Sequence, residues 1–201
     1  MIEVENMNAT GHHVVVAVKT DLFSMQMDDP ERDKLYAKVN GAFYFAEILS
    51  VGARATEPNW CPELTDTSKY VMISDVAGVT PPTGDTYTKV VLANNIVALT
   101  AKYKDMTIED MKATGERVLV ELIKEETEVN GIVVSDAKDP RDGSVQAGII
   151  RDISQGAKVF APELEVGMTV NFEPEYGNLL IQSDDIQIKT LNVNDIKYHV
   201  Q

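Results

Sequence analysis

Cysteine occurs only once in this chain, at Cys61. No disulfide can therefore form within it, and a reducing compartment is expected. Positive charge is scarce as well: 18 Lys and Arg stand against 32 Asp and Glu, a formal net charge of −14. That balance excludes a protein that grips a phosphate backbone, which needs a basic face. It equally excludes one that lies on an anionic membrane surface. The acidity reads as a solubility device. No apolar run approaches the length of a membrane span. The opening MIEVENMN is acidic and has no apolar core, so no secretory signal is expected and a cytoplasmic location follows. Without such a signal, the acceptor pattern Asn8-Ala9-Thr10 reads as chance.

Catalytic signatures are missing too. There is no Gly-x-Gly, no Walker loop, no His-Glu-x-x-His and no Cys pair. Dinucleotide, phosphoryl-transfer and zinc-hydrolase chemistry thus have no foothold. His12 and His13 are adjacent on a strand-like stretch and point to opposite faces, which suits neither a shared metal nor a catalytic pair. Asp184-Asp185 and Glu125-Glu126 read as solvated. The expectation is a protein that is not an enzyme and carries no cofactor and no metal. Trp60, beside Cys61 and Pro62, reads as packing a loop against a core.

What the chain does have is β-branched and aliphatic residues in short runs, with apolar residues at 44%. Strands are expected at Val14–Val18, Ala42–Val51, Tyr70–Ser74, Tyr87–Leu92 and Ile96–Thr100. The third and fourth read as a hairpin around Thr80-Pro81-Pro82-Thr83-Gly84, where two prolines forbid a ladder. Ala101–Met111 reads as a linker, with one helical turn from the Thr107/Asp110 capping pattern. Beyond it, strands are expected at Arg117–Ile123, Val145–Ile150, Thr169–Phe172, Leu179–Gln182, Ile186–Thr190 and Lys197–Val200. Internal matches recur in order. MNATGHHVVV (7–16) answers MKATGERVLV (111–120), Pro62-Glu63-Leu64 answers Pro162-Glu163-Leu164, and Asn94-Asn95-Ile96 answers Asn194-Asp195-Ile196. Ala46-Glu47-Ile48-Leu49 answers Ala147-Gly148-Ile149-Ile150 in the same order. Such offsets point to tandem duplication of one domain, over 1–104 and 105–201.

The second half holds the most distinctive stretch, EETEVNGIVVSDAKDPRDG (125–143). Asn130-Gly131 is a turn pair, because both residues tolerate positive φ. An apolar triplet, Ile132, Val133 and Val134, then interrupts a long polar connection, which suggests a docking point. Around it stand Glu116-Arg117-Val118, Gly148-Ile149-Ile150, Val166-Gly167-Met168-Thr169-Val170 and Asn194-Asp195-Ile196. These five elements, in this order over about ninety residues, resemble the chaperonin-10 family, the GroES-type co-chaperonins. The resemblance implies an all-β fold of two tandem GroES-like small antiparallel β-barrels. It implies a lid that caps the chamber of a large ATP-driven chaperonin ring of GroEL type, with an unfolded client protein inside. Docking would run through the mobile-loop residues Gly131, Ile132, Val133 and Val134.

The first half departs from that pattern. Its equivalent loop, Lys19–Lys38, lacks the Gly-Ile-Val signature. Leu22, Phe23, Met25 and Met27 read either as a second docking segment, since Met suits adaptable surfaces, or as the end of a strand folded onto the barrel. Between Ser154 and Glu163 there is little room for a roof hairpin, a compact arrangement similar to that of virus-encoded members; for such a member the location would be the host cytoplasm. Two other function classes stay open: a scaffolding barrel that keeps the fold without the chaperonin contact, and an enzyme, since the same barrel recurs in zinc-dependent dehydrogenases. The missing nucleotide-binding half and Cys/His ligands speak against the latter. In the resembled family, the last strand of one subunit pairs with the first strand of its neighbour, so a homo-oligomer is expected. The loop asymmetry favours two stacked tiers over a single ring in which both halves alternate.

Overall fold

Val14, Val15 and Val16 are all buried, so both faces of the first strand are covered, and a continuous β-branched run serves where an amphipathic strand would alternate. Arg117–Leu122 repeats this pattern, whereas Thr169–Phe172 alternates with only Val170 and Phe172 inside. The computed structural model describes residues 7–19, 43–65, 68–74, 76–81, 87–102, 108–123, 126–129, 132–135, 145–182 and 186–200. In chain order the strands are β1 (His13–Val18), β2 (Phe43–Val51), β3 (Tyr70–Ser74), β4 (Thr88–Leu92), β5 (Ile96–Thr100), β6 (Met111–Ala113) and β7 (Arg117–Leu122). They continue as β8 (Glu126–Val129), β9 (Ile132–Ser135), β10 (Gln146–Ile153), β11 (Thr169–Phe172), β12 (Asn178–Gln182), β13 (Gln187–Asn192) and β14 (Ile196–Val200). One short helix, α1 (Gln155–Phe160), follows β10, and the Ser154 side chain caps it by accepting from Ala157 N–H. A 3-10 turn at Ile108–Asp110 occupies the linker, where the capping pattern had placed one helical turn.

The chain is all-β, with two antiparallel sheets of six strands. Their orders are β4-β1-β2-β3-β5-β6 and β12-β13-β7-β10-β11-β14. The five-strand path β4-β1-β2-β3-β5 recurs as β13-β7-β10-β11-β14, and the registers recur with it. His13 pairs with Leu92 as Arg117 pairs with Asn192. A register shift interrupts β1–β2 at Leu49 and β7–β10 at Arg151; another falls at Val97 in β5 and at Lys197 in β14. Gly11 (φ 58°) and Gly115 (φ 64°) both take the left-handed conformation just before the first strand of their half. Ala93 N–H donates to the His12 carbonyl as Val193 N–H donates to that of Glu116.

One expectation needs correction. Tyr70–Ser74 and Tyr87–Leu92 do not form a hairpin: β3 is paired on both edges, by β2 and β5, and β4 pairs with β1. With both β3 edges taken, the stretch before β4 can only fold back on β4 itself, through an isolated Val79–Val90 bridge. One strand crosses between the halves. β6, though it lies in the second half of the sequence, joins the first sheet through Ala98↔Ala113, Leu99↔Lys112 and Thr100↔Met111. Each half keeps its own buried cluster, around Val14, Ile73 and Val91 in one and around Val118, Ile150 and Phe172 in the other. A third cluster joins them, with Phe43, Phe45 and Met72 packed with Met111, Leu119 and Leu180. Each such side chain contributes ~1.5–3 kcal/mol on burial, which makes the seam a core rather than a loose contact.

Candidate functional site

β7 and β10 are antiparallel neighbours, and Ile123 N–H donating to the Ala147 carbonyl closes their pairing at one end. The connection between them leaves from that end and carries β8 and β9. These pair with each other, from Glu126↔Ser135 to Val129↔Ile132, and form a sheet of their own. Neither is hydrogen-bonded into a six-stranded sheet. Ile132, Val133 and Val134 all lie on β9; Gly131 lies outside the described residues. So do Leu22, Phe23, Met25 and Met27. Sequence reasoning treated 125–143 as a connection without secondary structure of its own. The signal for the hairpin was present: Glu-Thr-Glu-Val and Ile-Val-Val-Ser flank Asn-Gly, the pair most favoured in two-residue hairpin connections.

The seam between the halves is a second polar constellation, and pattern reasoning missed it. Glu63, on the turn after Trp60, accepts from two backbone donors of the second half: Gly115 N–H (3.3 Å) and Gln155 N–H (2.9 Å). In return the Thr114 hydroxyl donates to the Ile96 carbonyl (2.7 Å), and the Arg117 guanidinium donates to the carbonyls of Ile96 and Asn94 (3.3 Å each). Burial pushes the Arg117 guanidinium below its ordinary value, against the raising influence of Cys61, Glu116 and Glu63. The Cys61 thiol is pushed up to about 12 by its burial and then by the Glu63 charge, so it stays protonated and unreactive. Such a group supplies no nucleophile.

Trp60 does pack its loop against the first core, and its ring stacks on His12 with centroids 3.9 Å apart. His12 Nε2 lies 3.2 Å from the Glu57 carboxylate, while His13 Nδ1 lies 3.1 Å from the Thr10 carbonyl. The two imidazoles therefore serve separate neighbours. Arg54 holds the Glu57 carboxyl below its usual range by a hydrogen bond. Among the described residues, no group of three or more His, Cys, Asp or Glu could hold a metal ion, and no helix is long and apolar enough to cross a membrane.

A six-stranded sheet with a hairpin carried between its β7 and β10 strands is what lies between the linker and the C-terminal strand. Residues 110–198 match the family model of the chaperonin 10 Kd subunit. The match begins at the linker turn before β6 and ends within β14, so it takes in the hairpin, and this segment is similar to the chaperonin-10 family. No curated protein matches the chain. That family supports a co-chaperonin-type role and is not a family of enzymes; its members partner a GroEL-type chaperonin and oligomerise. The first half lies outside the match.

Proposed function

We propose that this protein is a co-chaperonin that caps the chamber of a GroEL-type ring and assists folding of the client inside, docking through Gly131, Ile132, Val133 and Val134. The observation that carries this reading is the β8–β9 hairpin: an apolar triplet on a two-stranded arm, outside both large sheets, within the segment that matches the family. Burying the three side chains in a partner groove would contribute ~1.5–3 kcal/mol each. Fixing backbone residues on docking costs about 1–2 kcal/mol for each one newly immobilised, which offsets much of that gain. A single arm therefore binds weakly, and several arms on one assembly bind together because each later contact is intramolecular. This suits a lid that must leave when its partner changes shape.

The first half belongs to the same proposal as a divergent copy of the second, each copy a small antiparallel barrel. The matching strand paths, registers and bulges support duplication. Leu22, Phe23, Met25 and Met27 are the residues from which a second arm would be built. The test is Val133→Asp in the full chain. Capture by a chaperonin ring with nucleotide should be lost while the thermal unfolding transition stays in place, and the parent protein should gain hydrogen-exchange protection over 126–135 on capture. Unfolding of the second half by Val133→Asp, with no chaperonin-dependent protection in the parent, would return the triplet to the core and leave a scaffolding barrel.

A further inference from the structure

Val76 and Val79 are 84% and 67% exposed, an apolar pair on the connection between β3 and β4. The corresponding positions of the second half are polar. Val79 bridges Val90 as Asn178 pairs with Thr190, and Gly78 and Gly177, just before them, both take the left-handed conformation (φ 77° and 72°). Lys89 donates to the Ala77 carbonyl (3.4 Å) as Lys189 donates to that of Tyr176 (3.0 Å). Val76 and Val79 therefore correspond to Glu175 and Asn178, both exposed. The turn geometry is shared by the halves, so it does not call for valine in one of them. An exposed apolar pair at these positions suits a surface that something covers.

Position and length name the cover. Residues 20–42 lie outside the described residues; they leave from Lys19 and return at Phe43. Both ends lie at the end of the first sheet where the β3–β4 connection begins and finishes. Phe43 pairs with Ser74, and Val18 N–H donates to the Tyr87 carbonyl (2.9 Å). Val90 pairs with Val15, so Val79 lies two strand spacings from β1, about 10 Å, and three residues back from Val18, about 10 Å more. The chain from Lys19 to Met27 spans up to about 27 Å, enough to reach it. Leu22, Phe23, Met25 and Met27 are the apolar members of that span, and residues 28–34 beyond them are charged at every position but Pro30. The second half, polar at 175 and 178, instead builds its arm as the β8–β9 hairpin.

We infer that the segment Leu22-Phe23-Ser24-Met25-Gln26-Met27 lies on Val76 and Val79 of its own half whenever it is not docked elsewhere. Met and Leu side chains adapt to a shallow surface, and burial of apolar area on both sides drives the contact. The patch thus regulates the second docking segment. A segment held on its own half docks more weakly, in proportion to the fraction of time it is released. The inference builds on the second arm put forward above, and its test needs no chaperonin.

Hydrogen exchange on the isolated full-length protein should show residues 22–27 protected. Val76→Glu with Val79→Asn copies Glu175 and Asn178 at exposed positions. It should lower that protection about tenfold or more and leave the thermal unfolding transition in place. Phe23→Cys with Val79→Cys should close a disulfide within one chain on mild oxidation, at a yield independent of protein concentration; Cys61, buried and protonated, does not compete. Residues 22–27 exchanging at the rate of an unfolded chain would overturn the inference, as would protection that Val76→Glu with Val79→Asn leaves unchanged. A disulfide between chains rather than within one would assign the patch to a second copy and overturn it too. Protection of 22–27 that arises only on capture by a chaperonin would make the segment an arm that is never held back. Protection of 126–135 on capture reports on the lid alone, so the two readings fail separately.

Discussion

At the scale of single residues, Cys61 and Glu63 show how much a position depends on what covers it. Cys61 is completely buried, and its thiol is held up at about 12 from an ordinary 9.0. A thiol whose folded pKa exceeds its unfolded one contributes stability that is fully present below the unfolded value and is lost as pH rises toward the folded one. Alkaline destabilisation is thus expected between about pH 9 and about pH 12. It should be shallower in Cys61→Ala, as read from urea midpoints along a pH series. In the parent at pH 8, alkylation of Cys61 should proceed no faster than unfolding exposes it. Cys61 was legible as a free thiol from its number alone. The role of Glu63 was not, because its two donors lie 52 and 92 residues away and are backbone groups that no side-chain pattern marks.

At the scale of elements, local signals carried far and stopped where pairing became non-local. β1, β3, β5 and β7 fall within a residue of where β-branched runs put them, since such runs suit a strand covered on both faces. The supposed β3–β4 hairpin failed because proximity in sequence is a poor guide to which edge a strand finds free. The β8–β9 hairpin was overlooked because Asn-Gly was read as a turn within a loop, while the polar Glu-Thr-Glu-Val flank was not read as a strand facing Ile-Val-Val-Ser. β6 is the most informative element. It is three residues long and is held on one side by the β5 ladder and on the other by Asp152, which also pairs with Lys112 (3.2 Å). Asp152→Ala removes a charged acceptor from a partly buried N–H and should cost about 1.5–3 kcal/mol in chemical denaturation. Ser50→Ala, its counterpart under Ala9, removes a neutral acceptor and should cost only about 0.5–1.5 kcal/mol. Equal costs at the two sites would mean that the charge on Asp152 adds nothing to its bond with Ala113 N–H.

At the scale of the whole molecule, the seam bears on how chains assemble. From the sequence alone, the uneven loops favoured two stacked tiers, with only the second half facing a partner. The β5–β6 ladder and the apolar cluster beneath it favour the other arrangement, because they set the two halves edge to edge, as neighbours in one ring would be. A head-to-tail contact is heterologous, so repeating it gives a closed ring if the rotation closes and a filament if it does not. A ring of two-domain chains holds an even number of such steps, about six or eight for three or four chains. Native mass spectrometry of the intact protein should accordingly find three or four chains. Seven chains would restore the two tiers, and with them the view that the first half supports the lid without touching the chaperonin. A chain that stays single at micromolar concentration would remove the avidity on which weak individual arms depend, and the lid with it.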